Sequence, residues 1–227
     1  MAPPRLVPEN TLFFLCDIQT KFRPAILRVL GILYLLCNGI PCSSQILSIG
    51  VIATTQNARA LGPVDPDIDL PLLGDLLIAN FDKTLFSMIT ADVKAILDAR
   101  PNINSIVLFG IESHVCVLQT VLSLMGQQQY AVHVVADGVS SCNAFEVPIA
   151  VQRMRQEGAI IGTSESIAFQ LVGDASSPQF KAFSKLVKED KESTKQVGGV
   201  LLSGLPSHQN LSEGAGSPGG GPLKSAM

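Results

Sequence analysis

The chain has 227 residues, 47% of them hydrophobic and 15% charged, with a formal net charge of −3. That is enough apolar material for one domain with a packed core, and it excludes global disorder. The acidic balance, the lack of Trp and only two Tyr leave neither a basic footprint nor a stacking platform, so no nucleic-acid partner is expected.

In chain order, "MAPPRLVPEN" (1–10) is unlike a secretory signal or an Arg- and Ser-rich presequence. "TLFFLC" (11–16) is a short continuous apolar run, and it reads as a strand buried on both faces that ends at Asp17. The apolar run "ILRVLGILYLLC" (26–37) falls short of the roughly 20 residues a membrane span needs. It also carries Arg28, so it reads as a buried helix, and a cytoplasmic protein with no membrane partner is expected. "GVIATT" (50–55) is a second strand, "ADVKAILDARP" (91–101) a helix with Val93, Ile96 and Leu97 on one face, and "SIVLFG" (105–110) a third strand. "CVLQTVLSLMGQQQ" (116–129) has helical spacing, "AVHVVAD" (131–137) is a fourth strand, and "VPIAVQRMRQEG" (147–158) opens on Pro148 and closes at Gly158 as a helix. "AIIGTS" (159–164) completes the strands. The Gly-, Ser- and Pro-rich residues after about 190 are expected to be disordered, giving a domain at 1–190 and a tail at 191–227. Strands alternating with helices predict an α/β fold with a mostly parallel, doubly wound sheet.

Ligands of such sheets bind beyond the carboxyl ends of the strands. That rule places Asp17, the Thr54–Thr55–Gln56 run and the stretch from Gly110 to Cys116 on one rim. Cys116 stands where a helix begins, and there unpaired N–H groups favour a thiolate; the competing reading is a thiol that fills core space. Asp17 reads either as a cap of the turn after its strand or as a general acid/base. Lys83, among Phe81, Leu85 and Phe86, reads either as a surface lysine paired with Asp82 or as a cation of the site. His114 is a loop residue near the pocket, His133 a satisfied core histidine, and Cys16 points to the opposite side of its strand from Asp17. The five cysteines (Cys16, Cys37, Cys42, Cys116, Cys142) form no CxxC pair or zinc spacing, which fits free thiols, a reducing compartment and no metal or other cofactor.

The segments "FLCDIQTKF", "VIATTQNARALGP", "KTLFSM", "VLFGIESHVCVLQT", "VHVVADGVSS" and "TSESIAFQLVGDASSPQFK" occur in that order. Together they resemble the isochorismatase-like cysteine hydrolases, nearest to the eukaryotic isochorismatase domain-containing proteins. The resemblance implies a three-layer α/β/α sandwich and an Asp–Lys–Cys triad at Asp17, Lys83 and Cys116. It also implies a cis peptide between Ile111 and Glu112, and an oxyanion hole from the backbone N–H groups of Glu112 and Cys116. On motif position Phe22, Gln56 and Phe86 would line the substrate pocket. The implied activity is acyl-enzyme hydrolysis of a C–N bond in a small amide or related acyl substrate, in a protein whose relatives commonly form homo-oligomers.

Three departures qualify the resemblance. The Asp and two His that hold a metal in nicotinamidases of the family find no counterpart here, and Cys116 argues against cleavage of a vinyl ether. Residues 24–43, where the family has an amphipathic helix beside the pocket, are nearly all apolar and break at "NGIP". A misplaced exon boundary would produce that change, and sequencing the transcript tests it. The altered segment and the tail favour a second function class, a catalytically impaired member acting as a binding or scaffold protein. A third class is a sensor that uses Cys116 as its thiol and needs neither Asp nor Lys.

Overall fold

A computed structural model describes residues 5–23, 46–185 and 187–188. The apolar stretch at 24–43 and the tail at 191–227 lie outside the described residues. Among the described residues six strands form one sheet: β1 (Thr11–Cys16), β2 (Gly50–Gln56), β3 (Leu77–Lys83), β4 (Ser105–Ile111), β5 (Ala131–Ser140) and β6 (Ile160–Gly162). Their spatial order is β3-β2-β1-β4-β5-β6, and every pairing is parallel. The strand order reverses between β1 and β4, and at such a switch point the loops diverge to opposite faces and leave a crevice at the carboxyl ends.

Among the described residues the helices include α1 (Ala58–Leu61), α2 (Ala91–Asp98), α3 (Leu118–Gln127), α4 (Glu146–Gln156) and α5 (Ser164–Val172). Alternation along the strands splits the core in two. Leu12, Phe14, Ile106 and Leu108 face Val93 and Leu97 of α2, Val121 and Leu124 of α3, and Val147, Val151 and Met154 of α4. Phe13, Leu15, Val107 and Phe109 face Ile167 and Leu171 of α5, Ile68, and Leu70 and Leu73 of the 3-10 helical segment Leu70–Leu76. This is the three-layer α/β/α arrangement, with the sheet covered on both sides. Among the described residues no helix is long and apolar enough to cross a membrane.

The strands read as continuous apolar runs fall where the sequence puts them, and β5 continues three residues past its expected end at 137. Between Leu108 and Gly110 of β4, two residues of advance are matched by five on β5, from Val134 to Val139. This bulge carries Ser140, Ser141 and Cys142 up to the turn after β4. β3 is an addition: "LIANFDK" has polar residues because it lies at the sheet's edge, and only part of it is buried. His133 is in the core as expected, but among the described residues neither ring nitrogen has a hydrogen-bond partner.

Candidate active site

Strand geometry brings Asp17 to the switch point. Asp17 follows β1 directly, and its N–H donates to the Thr54 carbonyl at 3.1 Å, extending the β1–β2 ladder by one step. Its φ of +50° then bends the chain out of the strand. That bend corrects the expectation for Cys16: alternation no longer holds across a left-handed residue, and the Cys16 thiol lies 3.6 Å from Asp17 Oδ2 on the same side. The Asp17 carboxylate is only 1% exposed, and its other oxygen, Oδ1, accepts from Thr54 Oγ1 at 2.7 Å.

Lys83 is the last residue of β3, opposite Gln56 in the β2–β3 register. It is 4% exposed, and its Nζ donates to Asp17 Oδ2 at 2.7 Å. It also donates to Gln56 Oε1 at 2.7 Å and to the carbonyls of Phe86 at 3.0 Å and Leu85 at 3.1 Å. The surface pairing with Asp82 is therefore not formed. Asp82 instead accepts from Thr55 Oγ1 at 2.9 Å and caps α1 through the Ala58 N–H at 2.7 Å. A buried ion pair this close gives up much hydration, and the additional acceptors around the ammonium are what make such burial tolerable.

Cys116 sits in a helical turn, Ser113–Val117, that precedes α3. The Glu112 carbonyl accepts from the N–H groups of both Val115 and Val117 at 3.1 Å, so the turn is wider than an α-helical one. The helical conformation thus starts three residues before Cys116 rather than at it. Gly110 has φ +127°, and a Cβ there would stand 2.1 Å from the Cys16 carbonyl oxygen, so only glycine lets β4 run this close to β1 before the turn. The Ile111–Glu112 peptide is cis. The Cys116 side chain is directed back toward the core beside Cys16, the residue is 6% exposed, and Sγ is 4.0 Å from Gln56 Oε1. Burial, then the Cys116 thiol and the Asp17 carboxylate, push the Cys16 thiol well above its usual range, so it stays protonated.

The structure therefore joins Asp17 and Lys83 directly, and it joins Cys116 to them through Gln56 and Cys16. Of the residues expected to line a pocket, Gln56 is at the centre of this cluster. Phe86 is 54% exposed and offers its carbonyl to Lys83, while Phe22 packs against the Phe13–Leu15 face of the sheet, opposite the face that holds Cys116. Two residues emerge that spacing gave no role, Cys16 and Gln19. Gln19 is buried, and its amide nitrogen donates to the carbonyls of Gln56 and Gly62. No spacing or periodicity in the sequence marked either residue for this role.

A second group surrounds Glu112. The Cys142 thiol donates to Glu112 Oε1, as does the Cys142 N–H at 3.3 Å. His114 places Nε2 3.7 Å from Glu112 Oε2 and Nδ1 2.9 Å from Ser141 Oγ, which also bonds Ser113 Oγ. Partial burial and then the Glu112 carboxylate push Cys142 up to about 11, so this exposed thiol is a poor nucleophile at neutral pH. Among the described residues no group of three or more His, Cys, Asp or Glu is placed to hold a metal ion.

Comparison with known proteins matches this sequence and architecture to one family. The isochorismatase domain matches residues 11–166. Isochorismatase domain-containing protein 1 of Salmo salar is 40% identical over 81% of this chain, which spans 62% of that protein's length. The secreted isochorismatase effector Isc1 of Phytophthora sojae is 39% identical over 82% of this chain and 88% of its own. Among solved structures, the MAR1 ribonuclease of Caenorhabditis elegans is 36% identical with a TM-score of 0.72, covering 82% of this chain and 93% of its own. By sequence and by fold alike, the chain belongs to the isochorismatase family.

Proposed function

We propose that this protein is a cysteine-dependent hydrolase that cleaves a C–N bond in a small amide or related acyl compound. The observation that carries the reading is the buried Asp17–Lys83 pair at the switch point, 2.7 Å apart and coupled through Gln56 to the Cys116 thiol. Folding does not need a charged pair there; an apolar pair of similar volume would stabilise the fold as well or better.

In the proposed cycle Asp17 takes the proton of the Cys116 thiol, and Lys83 holds the carboxylate in place and balances its charge. The thiolate attacks the substrate carbonyl, forming a C–S bond. The oxyanion that develops is received by the backbone N–H groups of Glu112 and Cys116. As the tetrahedral adduct collapses, the C–N bond breaks and Asp17 returns the proton to the leaving amine, so that a thioester remains on Cys116. Asp17 then draws a proton from water, the hydroxide displaces the thiolate, and the carboxylic acid departs. The cycle uses no metal or other cofactor. A cytoplasmic location and a homo-oligomeric state belong to the same proposal, and both stand open to test against a relative that is named a secreted effector.

Iodoacetamide labelling at Cys116, read by peptide mass spectrometry, tests the activation of the thiol. Fast labelling in the wild type and slow labelling in both Asp17→Asn and Lys83→Met is the expected pattern. Equally slow labelling in all three would leave a binding or scaffold role, and equally fast labelling would make Cys116 a sensor thiol. A panel of small amides then identifies the substrate class. RNA belongs in that panel because the Caenorhabditis elegans relative is named a ribonuclease; RNA cleavage without amide turnover would overturn the proposal.

A further inference from the structure

Gln56 was expected to touch substrate, but every polar atom it owns is already engaged. Its side-chain Nε2 donates to the Thr84 carbonyl at 2.8 Å, which fixes the amide's orientation and turns Oε1 toward Lys83. Oε1 accepts from Lys83 Nζ at 2.7 Å and lies 4.0 Å from Cys116 Sγ. Its main-chain N–H donates to Gln19 Oε1 at 2.7 Å, and its carbonyl accepts from Gln19 Nε2 at 3.2 Å. Gln19 is itself 1% exposed and anchored by a 2.6 Å bond from Nε2 to the Gly62 carbonyl. Two carboxamides thus lock one main-chain unit and one side chain into a single geometry.

We infer that Gln56 is a positioning residue that couples the Asp17–Lys83 pair to the Cys116 thiol, and that Gln19 fixes Gln56 for that task. This rests on the hydrolase reading above. The residue type follows from the charges present. Lys83 and Asp17 already neutralise each other, so a carboxylate at position 56 would add an unbalanced negative charge beside the sulfur and oppose thiolate formation. An apolar side chain would leave Lys83 held by Asp17 and the carbonyls of Leu85 and Phe86, and would remove an acceptor that contacts both the ammonium and the Cys116 thiol. A neutral acceptor of this length holds the ammonium and opposes the anion less than a carboxylate would. Among the described residues, the titratable groups near the sulfur are Cys16 and Asp17 at the end of β1 and Lys83 on β3, with His114 on the same turn and Glu112 immediately before it.

The test is the rate of iodoacetamide labelling at Cys116 between pH 5 and 10, read by peptide mass spectrometry on the full chain. Gln56→Glu, nearly isosteric, should slow labelling at pH 7 about tenfold and move the midpoint of the profile up by about one unit. Gln56→Met should also slow labelling, with thermal melting showing that the variant is folded. Wild-type profiles in both variants, alongside a slowed Lys83→Met, would overturn this inference and leave the hydrolase reading standing. Wild-type profiles in Lys83→Met and Asp17→Asn as well would remove both. A Gln56→Glu profile displaced upward with Gln56→Met unchanged would show charge sensitivity without positioning, and would also overturn it.

Discussion

Replacing Lys83 by Met removes the ammonium while nearly keeping the length and bulk of the side chain. Four acceptors then lose a donor that stands 2.7 to 3.1 Å away in the native protein: Asp17 Oδ2, Gln56 Oε1 and the carbonyls of Leu85 and Phe86. Among the described residues the Asp17 carboxylate, 1% exposed, then keeps the Thr54 hydroxyl and the Cys16 thiol as its side-chain partners. Breaking a buried pair by removing one member costs about 3–5 kcal/mol, because the remaining charge is stranded. At about 2–4 °C per kcal/mol for a domain of this size, the melting temperature should fall by about 6–20 °C. Adding Asp17→Asn to Lys83→Met removes the stranded charge, and the double variant should recover about 1–3 kcal/mol relative to Lys83→Met. Urea denaturation followed by circular dichroism measures the wild type and both variants. A loss below about 1 kcal/mol in the single variant, or a double variant no more stable than the single, would refute the view that this pair is fully desolvated and mutually dependent.

Three further outcomes follow from the same geometry. Thr54→Val deletes the 2.7 Å bond to Asp17 Oδ1 at a fully buried position and should cost about 1.5–3 kcal/mol in urea denaturation, whereas Thr54→Ser should recover most of it. Gly110→Ala combines a φ of +127° with backbone of Cys16 at 2.1 Å and should cost on the order of 3 kcal/mol or more, seen as a lowered urea midpoint or loss of soluble protein. Burial holds His133 below its usual value of 6.5, so the unfolded chain binds the extra proton first. The corresponding stability is present above about pH 6.5 and is lost as pH falls toward the folded value; His133→Leu should melt higher than wild type, with the gap widening from pH 7 to pH 5.

β1, β2 and β4 were legible because each is sealed by helices or loops on both faces, and such strands must be apolar at nearly every position. β3 was not: with one side unpaired it carries Asn80, Asp82 and Lys83, and its pattern resembles a loop. Local sequence rules misplaced one side chain and left another open. Alternation predicts where Cys16 points only while the backbone stays extended, and the left-handed φ of Asp17 ends that condition one residue later. A lysine beside an aspartate in sequence suggests a local pair, yet Lys83 reaches a partner 66 positions away because the β2–β3 register carries it to the crevice. The resemblance in the quoted segments supplied that pairing; spacing could not. Gln19 and Gln56 carry no periodic signal, and their mutual locking is visible only in three dimensions.

Lys83 closes the outermost strand of the sheet, hydrogen-bonded to a neighbouring strand on one side only. Margins of a sheet open more often than its centre, at a fraction of the free energy of global unfolding. The central strands can therefore stay intact while Lys83 leaves Asp17 during a brief local opening. Competence for chemistry would then be lost on gentle warming before the fold melts, and amide exchange along residues 77–83 should track that loss more closely than exchange in the sheet's interior.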